Sequence, residues 1–194
     1  MLPQTRLLTL EDYQRIAQSP EYDGVRVELV HGALCQWGVM TGGTSPIHGW
    51  VVNEIAFLLN QYVRTHALGQ VFIGETGFRL PSRHDDLPTV RIPDVAFVSA
   101  SRLPPKLTEG YAEFPPDLAV EVISHGNDAE EIQEKVLDFL EAGVSLIWLV
   151  YPKTQSITVH TIDGAHIFGI ADMLDGGDIL SGLSIPVVSV FPKR

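Results

Sequence analysis

Two short apolar runs, each interrupted by one acid, constrain the fold of this chain more than any other feature. Residues 92–98 contain Asp94 and residues 118–123 contain Glu121, and the other side chains of both runs are apolar. A strand with two apolar faces belongs in the centre of a sheet that is covered on both sides. A carboxylate there loses hydration worth several kcal/mol unless a donor, a cation or a metal ion replaces the water. Each acid is therefore predicted to have a specific partner.

The remaining segments predict a mixed α/β (α+β) fold with a central mixed sheet flanked by helices. Capping residues and helical spacing predict a helix that begins after Thr9 and ends before Pro20, and two more at residues 48–65 and 128–142. Apolar patterns predict further strands at residues 25–30, 33–39, 71–80 (one strand or a pair), 146–150, 157–161 and 165–170. The strand, helix and strand of residues 118–150 predict a parallel pair with a right-handed crossover.

Composition narrows the class of protein. The length of 194 residues and the absence of a domain boundary predict one domain over residues 1–194. No apolar stretch approaches the roughly 18 residues that span a bilayer, and the first residues lack a signal-peptide pattern, so we expect a cytoplasmic protein without a membrane partner. Cys35 is the only cysteine, which excludes an internal disulfide and a cysteine-rich zinc site. The formal charge of -11 is unfavourable for nucleic-acid binding, where cationic side chains neutralise phosphates.

Strand alternation predicts where the two acids point. Asp94 shares a face with Ala96, and Glu121 shares a face with Ala119. If the two strands are neighbours, both carboxylates could bind one ion, and their hard oxygen atoms suit Mg²⁺ or Mn²⁺. Such an ion lowers the pKa of its bound water and stabilises the charge that develops during phosphodiester hydrolysis.

Lys135 is the third candidate residue of this site. It follows Ile132 by three residues and precedes Phe139 by four, so it borders the apolar stripe of the predicted helix. A lysine there could orient a nucleophilic water or stabilise the developing negative charge. The alternative is a structural ion pair, in which Lys135 reaches Glu121 and no metal ion is bound.

Five segments and Lys135, in this order, carry a resemblance to a known family. The chain resembles the large bacterial family of proposed restriction endonucleases within the PD-(D/E)XK nuclease superfamily. The resemblance covers about residues 8–160 and rests on LTLEDY (8–13), VELVHGAL (27–34), IPDVAFV (92–98), LAVEVIS (118–124) and AGVSLIWLVYP (142–152). It implies a restriction-endonuclease-like core over these residues, with the C-terminal strands at residues 161–194 outside it, and a divalent metal at Asp94 and Glu121.

The resemblance also bears on the lysine. In the superfamily the lysine usually lies two residues after the second acid, and Ile123 occupies that position here. The family resembled supplies the lysine from the following helix, which makes Lys135 the migrated lysine. The chain departs from the family in two other places, with Phe139 where a tyrosine is frequent and Tyr151 where an aspartate is frequent.

Two further residues match positions of the family. Glu28 shares a strand face with Arg26, so either solvent exposure or pairing with Arg26 competes with a place in the acidic cluster. His48 lies near the start of the second predicted helix, where a capping or surface role competes with a role in the site.

Three functions remain open from the sequence. The first is a metal-dependent endonuclease that hydrolyses phosphodiester bonds, with DNA as the nucleic-acid partner. The second is a non-catalytic module that binds a partner or regulates it, which the acidic charge favours, and the third is a metal-dependent hydrolase of a small substrate. Retention of Asp94, Glu121 and Lys135 favours an enzyme over the second function.

Duplex cleavage also bears on assembly. Cutting both strands is simplest with two sites related by a two-fold axis, so we expect a homodimer or higher symmetric homo-oligomer. The apolar segment at residues 179–191 is either the contact between subunits or an extra strand that covers the chain's own core.

Overall fold

The computed structural model describes residues 7–23, 25–36, 44–81, 87–107, 109–124 and 126–193. The helices of this part of the chain are α1 (Leu10–Ala17), α2 (Pro46–Thr65), α3 (Ala129–Glu141) and α4 (Val187–Val190). Its strands are β1 (Val27–Val30), β2 (Ala33–Gln36), β3 (Gly69–Ile73), β4 (Phe78–Leu80), β5 (Thr89–Arg91), β6 (Val95–Ser99), β7 (Leu118–Val122), β8 (Leu146–Tyr151), β9 (Ser156–Thr161), β10 (Gly164–Phe168), β11 (Met173–Asp175) and β12 (Ser184–Pro186).

The central sheet is mixed, as predicted. Its order is β10-β9-β8-β7-β6-β3, with β7 and β8 parallel and the other neighbours antiparallel. The helix α3 connects the parallel pair, which confirms the strand–helix–strand prediction. A second sheet has the order β2-β1-β5-β4, and β11 pairs with β12.

Apolar side chains cover both faces of the central sheet. One face packs against α2 and the C-terminal segment, with Val95, Val120 and Trp148 among its buried residues. The other face packs against α3 and β4, and Ala96 and Ala119 belong to it. Glu121 lies two residues after Ala119 in β7, so its side chain belongs to the face that α3 covers. Asp94 lies at the bend before β6, so the strand alternation expected from the sequence does not apply to it.

Local signals at the helix ends agree with the structure. The side chain of Thr9 caps α1 in a capping box with Asp12. Asp128 caps α3 by accepting from the backbone amides of Glu130 and Glu131. Gly143 follows the C-cap of α3 with φ of 82°, a conformation that favours glycine.

Two predicted strands are divided in the structure. Residues 92–98 were expected to form one strand, but β6 begins only at Val95, and Asp94 lies at the bend before it. Pro93 separates β6 from β5, which belongs to the second sheet. Residues 71–80 form a pair of strands, and β3 and β4 also join different sheets. The part of the predicted strand 33–39 that follows Gln36 lies outside the described residues.

The C-terminal segment covers the chain's own core. Leu180, Leu183, Ile185, Val190 and Phe191 are buried in the cluster that includes α2. Residues 179–191 form β12, α4 and the turn before them rather than one strand. The buried apolar side chains of this segment therefore pack within the subunit. In the described part of the chain no helix is long and apolar enough to cross a membrane.

Candidate active site

Asp94 and Glu121 lie on adjacent chain segments. Val95 pairs with Val120 in the antiparallel register of β6 and β7, and this register ends before Asp94. The N–H of Asp94 donates to the carbonyl oxygen of Val120 at 3.0 Å, and its Oδ2 accepts from the N–H of Val122 at 2.8 Å, so Asp94 contacts the residues on both sides of Glu121. The charge of Asp94 raises the pKa of Glu121, which shows that the two carboxylates lie close enough to interact.

Lys135 approaches these acids from α3. Its Nζ lies 2.7 Å from Glu121 Oε1, 2.9 Å from Glu28 Oε1 and 3.2 Å from the carbonyl oxygen of Ile92. The side chain is 4% exposed. The helix thus places one buried ammonium group between two carboxylates from different sheets.

Glu28 is fully buried, and the exposed alternative for it is wrong. Its Oε1 accepts from the backbone N–H of Ile92 at 2.7 Å, and its Oε2 lies 3.2 Å from Arg91 Nη1. Burial alone would raise the pKa of Glu28, but the charges of Lys135 and Arg91 lower it below its usual value. Arg26 Nη2 is 3.9 Å from Oε1, so the expected pairing with Arg26 is the longest of these contacts. Glu28 belongs to the acidic cluster.

Asp94 is held in its ionised form. Its Oδ2 accepts from the N–H of Val122 at 2.8 Å and lies 3.3 Å from His48 Nε2, while Oδ1 accepts from Arg26 Nη1 at 3.0 Å. Burial would raise the pKa of this carboxyl, but the hydrogen bond with His48 and the charge of Arg26 hold it well below its usual range.

His48 reaches Asp94 from the first turn of α2. Ser45 caps this helix by accepting from the His48 amide, so the backbone of His48 belongs to the cap while its ring points to the site. The ring is largely buried beside Asp94. The structure therefore brings His48 to the acidic cluster as well.

Glu121 has the opposite electrostatic character to Asp94. Burial raises the pKa of Glu121 to about 7; the charge of Lys135 opposes this shift and that of Asp94 adds to it. Its Oε1 forms the ion pair with Lys135 but accepts no well-aligned hydrogen bond from any described residue. A buried carboxylate oxygen of this kind retains an unused site for a cation or a donor.

Four further residues of this cluster, namely Arg26, Arg91, Asp138 and His31, were not predicted from the sequence as site residues. Arg91 and Arg26 bind Glu28 and Asp94, and Asp138 joins Arg91 to His31. Arg91 has the same sequence signal as the two acids, because it is a charged residue whose neighbours, Val90 and Ile92, are apolar. Asp138 lies one helical turn after Lys135, and this spacing could have identified it as a neighbour.

The side chains of the cluster can supply some, but not all, of the ligands of a divalent metal ion. Among the described residues no group of three or more histidine, cysteine or acidic side chains is arranged to hold an ion. Mg²⁺, however, is commonly bound through one or two carboxylates together with water and substrate phosphate. The carboxylates of Asp94 and Glu121, with Glu121 Oε1 in an ion pair with Lys135 but without a well-aligned hydrogen bond, can supply such donors.

Comparisons with known proteins agree with this fold. The chain is similar to the crystal structure of a putative nuclease belonging to DUF820 from Anabaena variabilis, with a TM-score of 0.78, 18% identity, and coverage of 95% of this chain and 97% of that chain. A comparison with curated proteins gave no significant match. The family described as "Putative restriction endonuclease" matches residues 10–190, which extends beyond the core expected at residues 8–160. The chain belongs to this family, Uma2, and has its restriction-endonuclease-like fold.

Proposed function

We propose that this protein is a metal-dependent endonuclease that hydrolyses phosphodiester bonds in DNA. The observation that carries the proposal is that Asp94 contacts the residues on both sides of Glu121, and that Lys135 Nζ lies 2.7 Å from Glu121 Oε1. Two acids and a lysine are the groups needed to hold a hydrolytic metal ion and to stabilise a phosphoryl transition state. Family membership and the similarity in fold to the Anabaena nuclease support the nuclease class.

Each buried group has a distinct part in this proposal. Asp94 and Glu121 would hold Mg²⁺ or Mn²⁺, which supplies charge stabilisation and a more acidic bound water. Lys135 would orient the attacking water or stabilise the negative charge on the phosphorus centre. Glu28 would hold the lysine through its contact of 2.9 Å, and His48 would fix one oxygen of Asp94.

A metal ion that binds Asp94 or Glu121 must displace the cationic side chains that already contact these acids. Arg26 donates to both Asp94 and the carbonyl oxygen of Ile92, and it is partly exposed. Binding of a divalent cation at Asp94 would release Arg26 from this carboxylate. A guanidinium released there would bind a substrate phosphate well, because its planar donors match phosphate oxygens.

The test is cleavage by the purified full chain. With Mg²⁺ or Mn²⁺ we expect cutting of plasmid or oligonucleotide DNA that ends on chelation of the metal. Asp94→Asn, Glu121→Gln and Lys135→Met should each reduce the rate by about 10²-fold or more, since electrostatic stabilisers of a transition state contribute at that scale. Glu130→Gln, an exposed change in the first turn of α3, is the matched control and should cut normally.

The substitutions are chosen to preserve packing. Leaving one member of a buried ion pair without its partner costs roughly 3–5 kcal/mol, so alanine variants would confuse unfolding with loss of chemistry. Thermal unfolding of each variant therefore accompanies the assay. A variant that carries Asp94→Asn, Glu121→Gln and Lys135→Met together gives the background rate. If the wild type cleaves no DNA or RNA substrate of a panel faster than this variant in the presence of metal, the proposal is contradicted.

One observation favours a second function. The formal charge of -11 disfavours a phosphate backbone as ligand, and ion pairs already engage both acids. A non-catalytic module that retains the nuclease fold would have these properties. Under that function metal ions would neither bind at Asp94 and Glu121 nor support cleavage, so the same assay separates the two.

A further inference from the structure

Arg91 is a buried cation to which the proposed chemistry gives no task. It ends β5, its side chain is 1% exposed, and it contacts acids of β1 and α3. Burial of a guanidinium is unfavourable unless several acceptors receive its hydrogen atoms. The acceptors that it finds connect it to the lysine of the site.

The contacts of Arg91 lead to Lys135 by two routes. Nη1 lies 3.2 Å from Glu28 Oε2, and the other oxygen of that carboxylate accepts from Lys135 Nζ at 2.9 Å. Nε donates to Asp138 Oδ2 at 2.7 Å. Asp138 follows Lys135 by three residues in α3, so both belong to the buried side of one helix. Arg91 therefore holds the acceptor of the ammonium group and also the helix that carries it.

Asp138 is itself fixed from two sides. His31, at the turn between β1 and β2, places Nε2 3.0 Å from Asp138 Oδ1, and Arg91 occupies Oδ2. The ring of His31 is 38% exposed, whereas Asp138 is largely buried. Alternating charges thus run from the surface through Asp138, Arg91 and Glu28 to the lysine.

The charge of Arg91 also determines how Lys135 is shared. Glu28 and Glu121 both contact the same ammonium group, at 2.9 Å and 2.7 Å. Without Arg91, the buried carboxylate of Glu28 would lose a cationic partner and attract Lys135 more strongly. The ammonium group would then lie closer to Glu28 and further from Glu121, where the reaction is proposed to occur.

We propose that Arg91 and Asp138 are positioning residues that hold Lys135 at Glu121. The catalytic part of this inference rests on the proposed nuclease function, whereas the placement of Lys135 is a property of the folded protein alone. The two parts can therefore be measured separately.

Placement is measured by NMR of the metal-free full chain labelled with ¹³C and ¹⁵N in lysine. The sequence has four lysines, and Lys106, Lys153 and Lys193 are exposed, so the buried ammonium group gives a distinct signal, assigned by its loss in Lys135→Met. Arg91→Gln and Asp138→Asn should each shift the Lys135 signal and increase the exchange of its ammonium protons with water. The three exposed lysines should not change.

A partly buried arginine–aspartate pair away from the site provides the control. Arg102 Nη1 lies 2.6 Å from Asp117 Oδ1, Arg102 is 34% exposed, and Asp117 precedes β7 at the end opposite Glu121. Arg102→Gln and Asp117→Asn should reduce stability and leave the Lys135 signal unchanged. If Arg91→Gln does not fold, the inference is tested by comparing the Lys135 signal of Asp138→Asn with that of Asp117→Asn.

Activity provides the second measurement. Arg91→Gln and Asp138→Asn should lower kcat by about 10–100-fold, as loss of an outer-shell partner commonly does, with a smaller change in KM. An unchanged Lys135 signal in the folded Arg91 and Asp138 variants would overturn the inference, whether or not the protein cuts DNA. A shifted Lys135 signal in a protein without nuclease activity would support the positioning and contradict only the proposed function.

Discussion

Asp94 and Glu121 lie on adjacent chain segments, yet their surroundings move their pKa values in opposite directions. Burial acts on both, but His48, Arg26 and a backbone amide stabilise the charge of Asp94. Glu121 has only the charge of Lys135 and the more distant Arg26 against burial and the neighbouring acids, and its pKa rises to about 7. The pKa of Asp94 is thus held well below neutral pH, whereas that of Glu121 lies close to it in the absence of metal. A divalent cation at Glu121 would compete with a proton for this carboxylate.

The raised pKa of Glu121 predicts an unusual pH dependence of stability. Between its ordinary value of 4.5 and about 7, the folded metal-free protein keeps a proton that the unfolded chain has lost. The free energy of unfolding should therefore decrease as pH rises through this window, by up to ~1.4 kcal/mol per pH unit from this group. Glu121→Gln should remove that slope, as measured by urea unfolding in EDTA at several pH values.

The control for this measurement is Glu130→Gln, which should keep the wild-type slope. The depressed pKa of Asp94 does not interfere, because its contribution to stability is complete above the ordinary pKa of 3.8 and is lost only as pH falls below it. An equal slope in Glu121→Gln and the wild type would contradict the prediction.

Metal binding can be tested at the same residues without any nucleic acid. An ion that binds only the folded state raises the free energy of unfolding by mass action. Millimolar Mn²⁺ should therefore raise the melting temperature of the wild type. The increase should be larger at pH 8 than at pH 5.5, because Glu121 must lose its proton to bind the ion. Asp94→Asn and Glu121→Gln should show no such increase. A rise that persists in both variants would place the ion elsewhere.

At the scale of the elements, α3 links sequence to site most directly. It connects the parallel strands β7 and β8, and its buried side carries Lys135, Val136, Asp138 and Phe139. The Asp128 cap sets where the helix begins, and Gly143 lets the chain turn back into β8 through a left-handed conformation. Local sequence signals therefore set both ends of α3, and these ends determine where Lys135 lies relative to β7 and β8.

Gly143 provides a test of this element. Its φ of 82° is strained for other residues, whereas a Cβ at this position would meet no atom of the described residues within 4 Å. Gly143→Ala should therefore reduce the free energy of unfolding by about 1 kcal/mol through backbone strain alone. Gly49→Ala, within the helix α2 and also without a described atom within 4 Å, is the control and should not destabilise. Equal effects in urea unfolding would contradict the interpretation.

At the scale of the whole molecule, the C-terminal segment completes the core. Leu174, Leu180, Ile185, Val187 and Val190 are buried against the face of the central sheet that α2 covers. Family similarity reaches residue 190, which agrees with this packing. We propose that residues 1–194 form one domain on this ground.

Removal of this segment tests its contribution to the core. A variant that ends at residue 171 would expose the apolar residues of α2 and the central sheet to water, and we expect it to lose cooperative thermal unfolding and near-ultraviolet dichroism. A variant that lacks only residues 193–194 should unfold like the full chain. Cooperative unfolding of the shorter variant would show that the segment is dispensable.

Assembly remains a proposal, namely that the protein is a homodimer. The two-fold argument from duplex cleavage still supports it. The buried residues of the C-terminal segment are used within the subunit, so another surface must form the contact. Light scattering at micromolar concentration should give twice the subunit mass of 21.3 kDa, and a single species at the subunit mass would contradict the proposal.

The sequence by itself determined the features that depend on neighbours along the chain. Helix caps at Thr9 and Asp128, the turn at His31-Gly32 and the parallel unit around α3 follow from periodicity and capping chemistry. The apolar context of Asp94 and Glu121 identified them because an isolated acid in a buried strand requires a partner. These signals are local, and local conformational preferences are enough to reveal them.

Only the tertiary structure decided which partners those residues have. Glu28 is separated by 63 residues from Arg91 and by 107 from Lys135. All four residues of β1 are buried, so strand alternation could not tell whether Glu28 faces solvent or the cluster. The break at Pro93, which sends β5 and β6 into different sheets, likewise depends on what each strand pairs with. Distant contacts are selected by the packing of whole elements, and that packing leaves no periodic trace in the sequence.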